Sequence, residues 1–332
     1  MSTLAPSTGR KAEHLRIAAG PGTQHSAGSG LERVQLRHRA LPGRDLDDVD
    51  LTTDLLGARL AAPLVVSAMT GGTPEAEIVN RRLAGAAAEH GIALVLGSGR
   101  ALLGDPDLLS TYRCAARPPL LLANLGVVQL TDRDAAPRLV ELLGSDGLSI
   151  HLNPIQEAVQ PEGQPCFGGA IERIAATVAQ LHPLPVVVKE VGFGMDGADI
   201  AALRDSGVAA IDVAGSGGTN WALVEGLRDP AAGQVAQAFA DWGVPTAEAL
   251  VEARAVAPRL PLIASGGVRD GVDVARCLAL GADAVGLARP LLMAAQQNRA
   301  SAAVAVLVRQ LRIATWAAGA ARCADLGAEH VR

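Results

Sequence analysis

Eight short apolar runs recur along the chain, and each is bounded by glycine or proline. They are PLVVSAM (63–69), IALVLGS (92–98), PLLLANL (119–125), LSIHL (148–152), PVVVKEV (185–191), VAAIDVAG (208–215), PLIASGG (261–267) and ADAVGLA (282–288). Continuous apolar runs of this length are typical of strands buried on both faces of a parallel sheet. Segments rich in Ala, Leu, Glu and Arg lie between them and predict helices, for example PEAEIVNRRLAGAAAEHG (74–91) and GGAIERIAATVAQLH (168–182).

Eight strand-then-helix units in succession predict a parallel sheet closed on itself, a (β/α)8 TIM barrel. An open doubly wound sheet is the main alternative, but such a sheet usually carries GxGxxG after its first strand, and none follows here. Residues 1–30 are rich in Gly, Ser and Ala and predict an arm that is mobile when nothing is bound. Residues 31–332 then form one barrel domain. The sixth unit is about one helix too long, so the insertion after strand six (219–245) is expected to cover one mouth.

Polar residues and glycines follow every predicted strand. Because the βα loops of a barrel converge on one face, these residues should meet at one mouth. In chain order they are Met69, Thr70, Gly71, Gly72, Ser98, Arg100, Asn124, His151, Asn153, Gln156, Glu157, Lys189, Glu190, Thr219, Asn220, Arg269, Ala288 and Arg289.

Lys189 ends the apolar run VVVK, where a buried ammonium needs an anionic partner. Glu190 is one possible partner, but neighbouring strand residues point to opposite faces, which favours a ligand anion. SGGVR (265–269) and GLARP (286–290) stand where barrels commonly bind phosphate through glycine N–H groups and a helix N-terminus. A simple tight turn is the alternative interpretation of these glycines.

The fourth run carries four hydrogen-bonding side chains within seven residues: His151, Asn153, Gln156 and Glu157. His151 lies between apolar strand residues, so a hydrogen-bonded core histidine is one interpretation. Glu157 is either a solvated loop carboxylate or a group facing the mouth. A lone carboxylate beside phosphate oxygens and water is the usual way to hold Mg²⁺.

The amino-acid composition argues against binding to nucleic acid or to a membrane. Of 332 residues, 49% are apolar and 19% charged, which indicates a folded chain. Three Phe, three Trp and one Tyr are too few to favour base stacking, and a net charge of −5 with both signs interspersed shows no basic face for nucleic acid or a membrane. The four cysteines form no CxxC pair, which predicts free thiols. Without a signal peptide or a long apolar span, a cytoplasmic location is expected.

Nine motifs, in order along nearly the whole chain, resemble the type 2 isopentenyl-diphosphate isomerases, flavin-dependent enzymes of isoprenoid biosynthesis. They are RKAEH (10–14), SAMTGGT (67–73), GSGRALL (97–103), ANLG (123–126), HLNPIQEAVQPEG (151–163), VKEVGFG (188–194), DVAGSGGTNW (212–221), WGVPTAEAL (242–250) and ASGGVRDGVDVARCLALGADAVGLARPLL (264–292). The motif at 151–163 separates this family from the related flavin barrels that oxidise 2-hydroxy acids.

The resemblance implies FMN in the barrel mouth and a diphosphate substrate. The implied FMN contacts are Ala68, Met69, Thr70, Ser98, Asn124, Lys189, Thr219, Gly267, Arg269, Ala288 and Arg289. The implied substrate contacts are Arg10, Lys11, His14, Ser98, Arg100 and Gln156. Gln156 would lie over the reacting carbons, with His151 and Asn153 as further catalytic candidates, and Glu157 would bind Mg²⁺.

The family reaction interconverts isopentenyl diphosphate and dimethylallyl diphosphate with no net redox change. The resemblance implies reduced FMN as the active form, NADPH as its reductant without a Rossmann domain, and a homo-oligomer, tetrameric or larger. We expect proton addition and removal by the reduced flavin. An FMN-dependent 2-hydroxy acid oxidase is the first alternative, but it normally needs a histidine base near strand seven, and none occurs between His182 and His330. A barrel that binds flavin or phosphate without chemistry is the second, although the residues of the fourth run are all present.

Overall fold

The computed structural model describes residues 7–114 and 116–332, so the first six residues of the predicted arm lie outside the described residues. The strands are β1 (Thr53–Leu55), β2 (Ala58–Leu60), β3 (Leu64–Val66), β4 (Ala93–Val95), β5 (Leu121–Gly126), β6 (Gly147–His151), β7 (Val186–Lys189), β8 (Ala210–Asp212), β9 (Leu262–Ala264) and β10 (Ala284–Leu287). Strands β3 to β10 are parallel and close into a barrel, with β10 paired to β3. Each overlaps one of the eight apolar runs. The predicted barrel is confirmed, and the open sheet is wrong.

Helices follow the strands along the chain. They are α1 (Ser7–Ala19), α2 (Pro74–Glu89), α3 (Arg100–Gly104), α4 (Ala135–Leu143), α5 (Pro154–Val159), α6 (Ala170–Leu181), α7 (Gly197–Asp205), α8 (Trp221–Arg228), α9 (Gly233–Gln237), α10 (Thr246–Val256), α11 (Gly271–Ala279), α12 (Arg289–Gln296) and α13 (Ala300–Ala317). Side-chain caps fix where several begin: Thr73 Oγ1 accepts from Ala76 N at 3.1 Å, and Asp196 Oδ1 accepts from Asp199 N at 2.9 Å. The predicted insertion is α8 with α9, which stand between β8 and the crossover helix α10.

A β-hairpin formed by β1 and β2 was not predicted. The two-residue turn between the strands, Leu56 and Gly57, has positive φ at both positions (52° and 83°), as in a type I′ turn. Leu55 and Leu60 are buried and pack with the inward-facing residues of the barrel, among them Val65 and Ile263. Several of these partners begin their strands, so the hairpin closes the end of the barrel opposite the strand carboxyl ends.

Replacing Leu60 by Ala is expected to destabilise the protein by about 2–5 kcal/mol, because Leu60 is 0% exposed and its removal leaves a cavity inside the barrel. Leu41→Ala is the matched control, since Leu41 is 89% exposed and its truncation should change stability by less than about 0.5 kcal/mol. Denaturant unfolding followed by circular dichroism measures both variants. Equal losses of stability would contradict the assignment of the hairpin as the closure of the barrel.

The described part of the predicted arm packs against the loops after β7 and β8. His25 N donates to Gly218 O at 3.0 Å, and Asn220 N donates to Thr23 O at 2.7 Å. Thr23 is fully buried and His25 is 7% exposed. Helix α1 contacts α8 and α12. The arm is therefore tied to two strand ends, and its mobility without ligand stays a prediction.

The four cysteines, Cys114, Cys166, Cys277 and Cys323, are free thiols, as their spacing predicted. Burial raises the pKa of the Cys323 thiol to about 11, so this group is a packing residue and not a reactive thiolate. Over the ranges 7–114 and 116–332, no helix combines the length and the hydropathy needed to cross a membrane.

Candidate active site

A cavity of about 1100 Å³ opens at the carboxyl ends of the barrel strands. Loops after the strands line it, together with α1 and α8. The residues with a predicted catalytic, cofactor, substrate or metal role all line this cavity: Arg10, Lys11, His14, Ala68, Met69, Thr70, Ser98, Arg100, Asn124, His151, Asn153, Gln156, Glu157, Lys189, Thr219, Gly267, Arg269, Ala288 and Arg289. Four other residues expected at the mouth do not line it: Gly71, Gly72, Glu190 and Asn220. The structure thus brings together residues that are up to about 280 positions apart in the sequence.

Inward-facing polar residues form the floor of the cavity. The strand register pairs His151 with Lys189 and Lys189 with Asp212, so these three side chains stand at one level on β6, β7 and β8. His151 Nδ1 lies 2.9 Å from Asn124 Oδ1. Burial, with the nearby charges of Lys189 and Lys11, lowers the pKa of His151 to about 3, so the ring is neutral and its Nδ1–H donates to Asn124. His151 therefore adds no positive charge to the cavity near pH 7.

Lys189 is 7% exposed and faces the cavity. Its ammonium contacts the Glu190 carbonyl oxygen, and in the part of the chain that the structure describes it forms no ion pair. The Glu190 carboxylate is turned the other way, where Oε2 accepts from the backbone N–H groups of Val191, Gly192 and Phe193 at 2.5–2.6 Å. Strand alternation predicted this separation, and Glu190 therefore does not pair with the Lys189 ammonium.

Three cations converge at the rim: Arg10, Lys11 and Arg100. Lys11 Nζ donates to Ser98 O at 2.8 Å and to Tyr112 Oη at 2.7 Å. Burial, reinforced by the two arginines, lowers the pKa of Lys11 to about 7. These three cations repel one another, and Lys11 is about half deprotonated at neutral pH. A bound anion would offset this repulsion, so the rim is suited to an anionic ligand.

The short helix α5 orients the amide and carboxylate groups of the fourth strand end. Asn153 Nδ2 donates to Gln156 Oε1 at 3.1 Å and to Glu157 Oε1 at 3.2 Å, and Glu157 Oε2 accepts from Gln164 N at 2.6 Å. Asn153 Oδ1 is buried and has no partner among the described residues. Spacings of three and four residues from Asn153 place both side chains on the helix face that meets it.

Glu225 on α8 is a member of the site that sequence reasoning missed. It is fully buried, and its carboxylate accepts from Gln156 Nε2 at 2.7 Å and from Arg228 Nε at 2.8 Å. His14 Nε2 lies 2.9 Å from Glu225 Oε1. Burial alone would raise the pKa of Glu225, but His14 and the hydrogen bonds from Gln156 and Arg228 lower it to about 2. A permanent anion therefore holds Gln156 and the arm together.

The network continues to the rim of the cavity. Arg228 makes a bidentate pair with Glu162 at 2.8 and 2.6 Å, and Arg10 Nη1 lies 3.9 Å from Glu162 Oε1. Hydrogen bonds and ion pairs thus connect Arg10 on the arm with Gln156 on α5. One feature of the sequence could have pointed to Glu225. In WALVEGLR it stands three residues after Ala222, so it lies on the same helix face as an apolar residue.

The glycines after β9 do more than turn the chain. Gly266 and Gly267 have positive φ (101° and 70°), and a Cβ on Gly266 would lie 2.0 Å from Gly215 O, so no side chain fits there. After β10, Arg289 Nη2 donates to Ala19 O at 3.0 Å, next to the carboxyl end of α1. Arg289 therefore anchors the arm, a contact that its predicted role toward FMN did not include.

A (β/α)8 barrel with a cavity at its strand carboxyl ends, into which charged and amide side chains project, has the architecture of a barrel enzyme. Comparison with known proteins shows which enzyme family it belongs to. Residues 169–332 match the family model of FMN-dependent dehydrogenases. Solved structures share the fold: a mandelate oxidase variant with an FMN monooxide adduct (TM-score 0.64, 22% identity, 96% of this chain and 91% of that chain) and a flavocytochrome b2 variant with benzoylformate (TM-score 0.70, 18% identity, 97% and 82%). Identities this low show the fold alone.

Curated relatives are much more similar. Proteins called isopentenyl-diphosphate delta-isomerase are 50% identical over 322 residues in Xanthobacter autotrophicus (94% of each chain) and 48% identical over 329 residues in Stutzerimonas stutzeri (96% of this chain and 94% of the relative). The relative from Nostoc sp. is 46% identical over 308 residues (90% and 88%). The chain belongs to the isopentenyl-diphosphate delta-isomerase family and is an isomerase. The resemblance seen in the sequence is confirmed.

Proposed function

We propose that the protein interconverts isopentenyl diphosphate and dimethylallyl diphosphate with reduced FMN and Mg²⁺, NADPH serving as the flavin reductant. One observation carries this proposal: the rim cations Arg10, Lys11 and Arg100 share a single cavity with the oriented amide Gln156 and the carboxylate Glu157. The cations match a diphosphate, and the amide and carboxylate line the same cavity.

The cavity fits FMN. Lys189 has no carboxylate partner among the described residues, Ser67 Oγ is buried without a partner, and the loop glycines leave a side-chain-free surface, since a Cβ on Gly218 would lie 2.6 Å from Gly267 N. The residues that would hold FMN are Ala68, Met69, Thr70, Ser98, Asn124, Lys189, Thr219, Gly267, Arg269, Ala288 and Arg289. When bound, reduced FMN supplies an electron-rich ring and exchangeable protons beside the alkene.

Gln156 positions the alkene. Its amide is held at both ends, by Asn153 at the oxygen and by Glu225 at the nitrogen, so its orientation is fixed. An amide is not a strong acid, and we assign Gln156 to positioning or relaying a proton rather than supplying it. An alkene that accepts a proton develops positive charge, which the buried Glu225 anion behind Gln156 stabilises.

The oxygens on α5 suit Mg²⁺. Glu157 offers a carboxylate and Asn153 an unpartnered carbonyl oxygen, both hard ligands. Among the described residues no group of three or more His, Cys, Asp or Glu side chains is placed to hold a metal by itself. Mg²⁺ would therefore need the substrate diphosphate and water to complete its coordination, which links metal and substrate binding.

The test is anaerobic incubation of the FMN-loaded protein with isopentenyl diphosphate, Mg²⁺ and NADPH, with products separated by chromatography. Dimethylallyl diphosphate is the expected product. Bound, reduced flavin without any product contradicts the isomerase assignment. Conversion of a 2-hydroxy acid to the keto acid under aerobic conditions, in its place, would support the oxidase alternative.

The lowered pKa of Lys11 predicts how diphosphate binding depends on pH. Below a pH of about 7 the ammonium is charged in the free protein; above it, Lys11 must take up a proton to bind an anion, so affinity falls as pH rises. Lys11→Arg is the control, because a guanidinium stays charged. Calorimetric titration with inorganic pyrophosphate should show affinity falling more steeply for the native protein than for the variant, by up to about tenfold per pH unit. Parallel pH profiles would contradict this.

A further inference from the structure

Asp212 is a buried carboxylate, bonded to the cavity-lining Ser265, for which the proposed chemistry has no use. It ends β8 and pairs in register with Lys189 of β7, so both side chains face the interior of the barrel. Its Oδ1 accepts from Ser265 Oγ at 2.7 Å and from Ala214 N at 3.2 Å. The side chain is 5% exposed. A charge this deep needs a compensating group.

No described residue donates to Asp212 Oδ2, and a Cβ built on Gly286, which lines the cavity, would lie 3.8 Å from it. The same Cβ would lie 2.5 Å from Ser67 Oγ, a buried hydroxyl without a partner. Asp212 Oδ2 and Ser67 Oγ, both beside Gly286, thus lack a hydrogen-bond donor or acceptor among the described residues. This is expected where a bound ligand supplies the missing hydrogen bonds.

The charges at this level of the barrel are few. Burial raises the pKa of Asp212, whereas the charge of Lys189 and the hydrogen bonds from Ser265 and Ala214 oppose this rise. The His151 ring on β6 is neutral, and the Glu190 carboxylate faces away. Arg269, after β9, also lines the cavity. Lys189 and Asp212 therefore stand side by side as the two groups at this level that can carry opposite charges.

We propose that Asp212 is a positioning residue that acts through Lys189: its carboxylate would balance the ammonium that lines the proposed FMN site and thereby keep the reduced flavin neutral rather than anionic. This inference rests on the proposed function, because it requires FMN beside Lys189. An uncompensated ammonium would stabilise the flavin anion and withdraw the proton that protonation of an alkene requires. A balanced pair leaves that proton on the flavin.

The test is an anaerobic pH titration of the absorbance of reduced FMN in the holoenzyme and in Asp212→Asn. Asn keeps the shape and an oxygen for the Ser265 hydrogen bond but removes the charge. The pKa of the reduced flavin should fall by roughly 1–3 units in the variant, the usual effect of removing one nearby opposite charge, and the flavin reduction potential should become more positive. In a Lys189→Gln background the same substitution should shift the pKa much less.

An unchanged titration in Asp212→Asn would overturn the inference, as would an equal shift with and without Lys189. If Asp212→Asn loses FMN, Ser265→Ala is the second variant, because it removes the hydroxyl that stabilises the carboxylate. The flavin pKa should then shift in the same direction by a smaller amount. No shift in this variant would overturn the inference. The titration needs bound FMN alone. The proposed function fails in a different experiment: a native protein that binds FMN but does not isomerise isopentenyl diphosphate would contradict it.

Discussion

Glu225→Gln is expected to lower kcat for isopentenyl diphosphate by about 100-fold or more while FMN stays bound. The native carboxylate accepts hydrogen bonds from Gln156 and Arg228 and lies beside His14, all within 2.9 Å. A glutamine amide has one oxygen and no charge, so Arg228 or Gln156 must lose its acceptor. Breaking one partner of a buried charged network costs about 3 kcal/mol or more, equivalent to at least a hundredfold in rate if the loss falls on the transition state.

Steady-state kinetics on the FMN-loaded variant measures this effect, and the flavin absorption spectrum reports on cofactor binding. Glu248→Gln is the matched control, because Glu248 pairs with Arg33 at 2.9 Å but both side chains are more than half exposed. Surface pairs of this kind contribute little, so kcat should not change. A Glu225→Gln enzyme with native kcat would show that the position of Gln156 does not depend on this carboxylate.

Glu157→Gln should weaken Mg²⁺ binding, so that turnover needs more Mg²⁺, and leave the flavin spectrum unchanged. The variant keeps the size of the side chain and an oxygen that can accept from Gln164 N, so the fold of α5 should persist. It removes the negative charge that a divalent cation requires in a site with a single carboxylate. We expect the Mg²⁺ concentration for half-maximal rate to rise by at least about tenfold and kcat/KM to fall with it.

Kinetics at varied Mg²⁺ and calorimetry with Mg²⁺ and inorganic pyrophosphate check this second prediction. Glu172→Gln serves as the control, because Glu172 is exposed on α6, outside the cavity lining. Loss of FMN from Glu157→Gln would place Glu157 at the flavin instead of the metal. An unchanged dependence on Mg²⁺ would remove Glu157 from the metal site.

The barrel could be predicted because each of its strands is apolar on both faces and therefore visible as a run. The β1–β2 hairpin could not: TDL and ARL are short, and each buries a single leucine, so no periodicity develops. Much of the cavity lining could be predicted from position, since residues that follow a barrel strand lie near the mouth. The arm residues Arg10, Lys11 and His14 do not follow a strand, and only the family resemblance pointed to them.

The hydrogen-bond and ion-pair partners of the site residues could not be predicted from the sequence. Whether His151 is a core or a catalytic residue depends on Asn124, 27 positions earlier, and on the charge of Lys189. Glu225 is 69 positions from Gln156, and only the folded insertion brings the two together. The predictions of a homo-oligomer and of a cytoplasmic location, like the individual residue roles, stay predictions.

If the flavin assists an isomerisation without net redox change, turnover should continue after NADPH is omitted. FMN in the holoenzyme is photoreduced under anaerobic conditions and mixed with isopentenyl diphosphate and Mg²⁺, while product and flavin absorbance are followed together. We predict many equivalents of dimethylallyl diphosphate per flavin, with the reduced-flavin spectrum still present at the end. At most one equivalent of product, accompanied by flavin reoxidation, would contradict the account.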